Sequence, residues 1–177
     1  MSTLELKELS HPSGEVIKIA AGKTLDLKSQ GSVTMPTGSV LQVIQTTNDT
    51  VTELTTVNTW VTVGTAATIT PTSSSSKILV MHSAGGLAGG AGTSFGFQLI
   101  RGSTAISTKS RYGYKNGTTY SPINWDFKYL DSPNTTSAIT YNFQIRLTAT
   151  GNVRHIGNDS LVTNNDACTT ILMEIQG

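Results

Sequence analysis

Cys168 is the only cysteine among 177 residues. No intrachain disulfide framework is available to this chain, and no metal site can rest on a set of thiolates. A lone thiol suits folding in a reducing cytosol. Long apolar runs are missing too, and no stretch approaches the roughly 18 residues of a membrane-spanning helix. The opening M-S-T-L-E-L-K-E-L-S sets Glu5, Lys7 and Glu8 among its leucines, so it lacks the apolar core of a secretory signal. Charge of one sign is absent as well: 12 Lys and Arg stand against 11 Asp and Glu, for a net charge of +1. Without a basic cluster there is no footprint for a phosphate backbone, and neither nucleic acid nor membrane insertion is expected. Helical periodicity is found in no window.

What the chain does have is alternation. Ile139, Tyr141, Phe143, Ile145 and Leu147 fall on every second position, with Thr140, Asn142, Gln144 and Arg146 between them. A period of two gives a strand one buried and one wet face, whereas on a helix residues two apart lie about 200° around the axis and would scatter. Ile139 to Leu147 is therefore expected as the central strand of an antiparallel sandwich, its five apolar side chains serving core packing or a trimer contact.

Residues 1–36 differ from the rest. Short β-like pieces, Leu4 to Leu9, Glu15 to Ile19, Thr24 to Leu27 and Ser32 to Met35, are separated by turn signals such as His11-Pro12-Ser13-Gly14. Each supplies only two or three apolar side chains, too few to close a core alone. Such pieces need neighbours, from stacked rungs or from the same segment in other copies. Pro36-Thr37-Gly38 marks a joint. Beyond it, strands are expected near Val40 to Thr46, Thr52 to Val63, Ala67 to Thr70, Lys77 to Ser83, Ser94 to Arg101, Thr104 to Thr108, Pro122 to Leu130, Ile139 to Thr148, Val153 to Ile156 and Thr170 to Ile175. In the last of these, Ile171, Met173 and Ile175 share a face. The fold class that follows is all-β: an antiparallel β-sandwich of jelly-roll type over residues 37–177, preceded by a short β-rich stalk.

Few residues carry recognisable chemistry. The stretch G-G-L-A-G-G-A-G at 85–92 lacks the Lys-Ser/Thr of a phosphate loop and precedes a strand, so it reads as a loop at the rim of the sandwich. His11, His82 and His155 share no ligand spacing; His82 lies on the Ile78 and Val80 side of its strand and reads as a hydrogen-bonded core or interface residue. A metal on a threefold axis would take three copies of one histidine, with His155 in a loop-like region as the candidate, but no metal or other cofactor is expected. Asp126, Asp131, Asp159 and Asp166 are spread out, and Asp131 and Asp159 read as turn residues that bond backbone N–H groups. A glycosidase would need two carboxyls roughly 5–10 Å apart across a sugar, and no Ser-His-Asp set stands out, so an enzyme is not expected. Asn-x-Ser/Thr triplets at Asn48, Asn116, Asn134 and Asn158 read as incidental. Arg111, Tyr112, Tyr114 and Tyr120, in the polar segment K-S-R-Y-G-Y-K-N-G-T-T-Y-S, are the candidates for receptor or glycan contact. A tyrosine ring offers a flat apolar face with a hydroxyl at its edge, which suits stacking on a sugar, though packing at a subunit interface is the first reading for such rings.

P-T-G-S-V-L-Q-V at 36–43, I-T-P-T-S-S-S-S-K-I-L-V at 69–80, Q-L-I-R-G-S-T-A-I at 98–106, L-D-S-P-N-T-T-S-A-I-T-Y at 130–141 and I-L-M-E-I-Q-G at 171–177 resemble, in that order, a group of small virion proteins of tailed bacteriophages, marine ones especially. These are usually described as tail fibre or structural proteins. The resemblance implies a homotrimer with a jelly-roll head similar to that of tumour necrosis factor or C1q, assembled in the host cytoplasm and carried on the virion. Residues 1–36 would dock on other virion proteins, and the head would meet a host-surface glycan or protein. Related folds also serve as capsid decoration, as head fibres and as free C1q-like or lectin-like carbohydrate-binding modules.

Overall fold

The computed structural model describes residues 21–23, 35–89, 94–114, 121–149, 152–156 and 168–177, with the backbone alone given within 85–89, 109–114, 121–125 and 152–156. The chain divides into two compact units, Met1–Thr34 and Met35–Gly177. In the first, the described residues are the turn at 21–23, where Gly22 takes a φ of +72°. The expected stalk strands otherwise lie outside the described residues.

The second unit is all-β among its described residues. Its ten strands are β1 (Val40–Asn48), β2 (Thr52–Leu54), β3 (Val61–Ile69), β4 (Lys77–Gly89), β5 (Ser94–Arg101), β6 (Thr104–Tyr114), β7 (Ser121–Asp131), β8 (Ile139–Leu147), β9 (Asn152–Ile156) and β10 (Cys168–Ile175). They form two antiparallel sheets. Sheet A holds β1, β10, β4 and β7 in that spatial order, with β9 continuing beyond β10 along the same edge of β4 and β2 beside β9. Sheet B runs β3-β8-β5-β6.

Setting β2 and β9 aside, the pairs nest: β1 with β10, β3 with β8, β4 with β7, and β5 with β6 at the centre. This is one long antiparallel hairpin with alternate pairs in opposite sheets. Rolling it up adds β10 to β4 and β8 to β5, which completes the jelly roll. Gly102, at a φ of +59°, opens the two-residue turn at the hairpin's tip, a backbone state that side chains disfavour. Gly64, at +70°, sits where the β3 register slips between Val63 and Ala67.

The core lies between the sheets. All five apolar residues of β8 are buried within a single chain, beside Phe95, Phe97 and Leu99 of β5 and Ile78 and Val80 of β4. Phe97, Phe127 and Phe143 pack at centroid separations of 4.7 to 6.3 Å. His82 stacks on Phe143 at 4.1 Å, with Nδ1 2.9 Å from the Thr170 hydroxyl oxygen. Cys168 is buried here too, and burial pushes its thiol up to about 12, which keeps it protonated and unreactive.

Four local expectations are corrected. Thr52 to Val63 is two strands, β2 and β3, because residues 55–60 leave the ladder. Gly85 to Gly89 is strand, paired with β7 on one side and β9 on the other; glycine is admitted where two ladders crowd one backbone. Asp131 is the last residue of β7, turned inward and 6% exposed. His155 lies in β9, opposite Thr52 and Gly86, and not in a loop.

Candidate interface on the outward face of sheet A

Which way each strand faces decides what the surface offers. In β10 the inward residues are Cys168, Thr170, Leu172 and Glu174, and the outward ones Thr169, Ile171, Met173 and Ile175. The more apolar row faces away from the core. The inward row includes a carboxylate, Glu174, which is fully buried. Burial opposes its charge. Hydrogen bonds more than compensate and hold it below the usual glutamate range: Gln42 Nε2 donates to Oε2 at 2.5 Å, and Thr72 N and Oγ1 donate to Oε1 at 2.7 and 2.8 Å. Gln42 Nε2 also reaches the carbonyl of Thr70 at 2.7 Å, so this seam ties β10 and β1 of sheet A to the segment leaving β3 of sheet B.

A second seam joins the sheets elsewhere. Arg101 Nη1, at the end of β5, donates to both carboxylate oxygens of Asp131 at 3.0 Å, and the hydroxyl of Tyr141 donates to Oδ2 at 2.7 Å. Burial, and then the hydrogen bond to Asp131, raise the pKa of Tyr141, so the phenol stays a donor. The Arg101 side chain is 31% exposed and that of Asp131 7%. Neither seam was legible along the chain, because Asp131 read as a turn residue and Glu174 lies on the face of β10 opposite its apolar row, Ile171, Met173 and Ile175.

The outward row of β10 continues across sheet A. Val43 of β1 pairs with Met173, Met173 with Leu79 of β4, and Leu79 with Leu130 of β7. Four strands thus place four large apolar side chains side by side on the outside. Exposure is greatest at the two edge strands, 53% for Val43 and 49% for Leu130, with Val40 at 51%. Ile171 and Met81 form part of the next row, ended by Gln45 and Lys128; the row after that is Thr47, Thr169, Ser83 and Asp126. Above these last two rows the surface dips into an open recess of about 210 Å³, lined by Met81, His82, Ser83, Asp126, Phe127, Lys128, Thr169 and Ile171. The run Ile78-Leu79-Val80-Met81 carried the signal, because it is apolar on both faces of its strand.

The outward face of sheet B is of another kind. Thr62, Gln144, Gln98 and Thr108 stand opposite one another across its four strands. Their side chains form a ladder: Gln144 Nε2 donates to Thr62 Oγ1 at 3.3 Å, Gln98 Nε2 to Gln144 Oε1 at 2.6 Å, and Thr108 Oγ1 to Gln98 Oε1 at 3.4 Å. Beside it the Arg146 guanidinium lies 4.7 Å from the ring centre of Trp60. The expected glycan-contact residues fall at this sheet's outer strand. Arg111, Tyr112 and Tyr114 belong to β6, with Tyr114 paired to Ser94 and Gly113 to Phe95; the expectation of a loop there is corrected, because Gly113 sits in the ladder and does not break it. Tyr120 lies outside the described residues. Among the described residues, no group of three His, Cys, Asp or Glu is placed to hold a metal ion.

No protein-family model matches the chain, and no curated protein matches it either. Among solved structures, the VP2 protein of infectious bursal disease virus in derived T=1 particles superposes with a TM-score of 0.47 at 14% identity, over 86% of this chain and 40% of that one. The Gx strain of the same virus gives 0.42 at 11% identity over 87% and 40%, and the T13 viral particle 0.37 at 12% over 88% and 40%. The chain spans about two fifths of the length of these proteins.

Proposed function

We propose that this chain is a non-catalytic structural component of a virus particle, and that it assembles as a homotrimer through the outward face of sheet A. One observation carries the reading. In β10 the inward side holds Thr170 and Glu174 while Ile171, Met173 and Ile175 point out. A strand facing water on its outer side has no use for that arrangement. A strand with a neighbour on each face does. Finishing the burial of Val43 and Leu130, each about half exposed, is worth about 1 kcal/mol apiece at each contact.

The resemblance of residues 36–177 to tailed-phage virion proteins supports placing the trimer on a particle, as a tail fibre or spike component. In that role residues 1–36 dock on other virion proteins. Sheet B and its polar ladder are left free for a host-surface glycan or protein, and three weak sites on one trimer act together.

The test is the mass of the full chain by native mass spectrometry and light scattering, followed by immuno-gold imaging of particles that carry it. A trimer and label confined to the tail are the expected results. A stable monomer at micromolar concentration overturns the assembly, and label spread over the head overturns the tail assignment.

A further inference from the structure

Charge is divided unevenly between the two sheets. The strands of sheet B carry four basic residues, Arg101, Lys109, Arg111 and Arg146, and no Asp or Glu. Those of sheet A carry three basic residues, Lys77, Lys128 and Arg154, and four acidic ones, Glu53, Asp126, Asp131 and Glu174. Arg101 is paired across the seam with Asp131. The other three cations belong to a sheet whose strands hold no acid.

Arg146 lies on the outward side of β8, two residues along from Gln144 and the polar ladder. Its neighbour Trp60 comes from the segment between β2 and β3, which is fastened to the end of β8: Asn58, at a φ of +60°, donates its N–H to the Leu147 carbonyl at 2.8 Å, and Val57 bridges to Leu147. That attachment sets the indole ring 4.7 Å from the guanidinium. Among the described residues no carboxylate pairs with Arg146, and its Nε is buried without a hydrogen-bond partner. A ring, and not an acid, fixes this cation. Opposite it on β5 stands Gly96, which adds no side chain to the row, and Arg111 takes its place on β6 between Lys109, opposite Phe97, and Gly113, opposite Phe95.

From these we infer that the outward face of sheet B binds an anionic saccharide, whose carboxylate, sulfate or phosphate group sits on the guanidinium of Arg146. The inference rests on the reading of sheet B as the glycan-binding face, and adds the class of glycan and the residue that selects it. A guanidinium is a planar fork matched to the paired oxygens of such groups, and stacking on Trp60 orients it before a ligand arrives. Sugar hydroxyls donate and accept, as do the amides of Gln98 and Gln144 and the hydroxyls of Thr62 and Thr108. Two residues along a strand is roughly 7 Å, so one saccharide can touch both the ladder and Arg146. A nucleic-acid backbone fits less well, because the chain's net charge is +1 and its few cations form no continuous track.

The test uses the immobilised full-length chain and four polysaccharides: polygalacturonate for carboxylate, dextran sulfate for sulfate, a phosphomannan for phosphate, and neutral dextran. At least one acidic polymer should bind, less tightly as salt rises, and neutral dextran should bind at least tenfold more weakly; the best of the three identifies the acid group. Arg146→Gln should weaken binding roughly tenfold or more, as expected for a lost charge-assisted contact, with far-ultraviolet circular dichroism unchanged. Arg146→Lys, which keeps the charge without the fork, should fall between, and Lys128→Gln on sheet A should bind like the wild type. Polyglutamate, an anion without a sugar, should not compete. Competition by polyglutamate, or wild-type binding by Arg146→Gln, overturns the inference. Neutral dextran bound as tightly as the acidic polymers, and lost in Gln144→Ala, overturns the anionic class while the glycan reading of sheet B stands. If none of the four binds, both are overturned.

Discussion

The two sheets are built to one plan and finished differently on the outside. Both are antiparallel, both contribute four strands to the jelly roll, and both bury alternate residues against the same core. Outside, sheet A sets Val43, Met173, Leu79 and Leu130 in a row, and sheet B sets Thr62, Gln144, Gln98 and Thr108 in the equivalent row. Hydrogen bonds along the second row satisfy its polar groups, including those of the buried Gln98, while the first row offers only apolar side chains. A sandwich of this kind needs one apolar face per sheet to fold, so the third apolar face is the feature on which the proposed assembly rests.

The largest effect should come from exchanging the character of the rows. Leu79→Arg puts a charge in the middle of the apolar row and should convert the trimer to a folded monomer, read by light scattering; Gln144→Arg, at the matching place in sheet B, should leave the trimer intact. If both variants behave alike, the contrast between the faces has no bearing on assembly.

Next in size is the seam that holds the unlike sheets together. Asp131→Ala removes the acceptor shared by Arg101 and Tyr141. Breaking a largely buried pair from one side typically costs about 3–5 kcal/mol, and the partial exposure of Arg101 points to the lower end of that range. Denaturant titration measures it. Tyr141→Phe, which spares the ion pair, should cost about 1 kcal/mol.

The other seam should respond to acid. Glu174 has a folded pKa below its unfolded value of 4.5, so the stability it contributes is fully present above that value and is lost as the pH falls through the folded pKa. Thermal unfolding followed from pH 6 downward should lose stability more steeply in the wild type than in Glu174→Gln, which has no such titration. Parallel curves would show that the carboxylate contributes nothing to the join.

The smallest effect belongs to the polar ladder. Gln98→Ala and Gln144→Ala should each cost about 1 kcal/mol, and the double variant less than their sum, because the two amides share one hydrogen bond. Strict additivity would mean that the row is a set of independent solvated groups.

Much of the architecture was legible along the chain because strand alternation is a local property. The bounds expected for β5 match, β8 differs by one residue, and the all-β sandwich followed from repeated two-residue periods separated by turn residues. Misreadings arose where a long-range partner decided the matter. Asp131 had the chemistry of a turn residue until Arg101 and Tyr141, 30 and 10 positions away, closed on it. Gly85 to Gly89 had the composition of a loop until β7 and β9 took it from both sides. Tyr112 and Tyr114 were placed in a loop because β6 was expected to end near Thr108, whereas it follows β5 back as far as Tyr114, opposite Ser94. The candidate interface was half visible: Ile171, Met173 and Ile175 announce one face of a strand, but periodicity does not say which face is inside.

Sequence alone determined that this chain makes strands and where most of them start and stop; composition and a period of two suffice for that. Tertiary structure alone decided the inside and the outside. The orientation of β10 is fixed by the register with β1 and β4, which places Glu174 over Gln42 and Thr72 and turns Met173 toward Val43 and Leu79 on the surface. A one-residue slip would reverse every side chain of that strand, and only the packed partners can choose between the two settings.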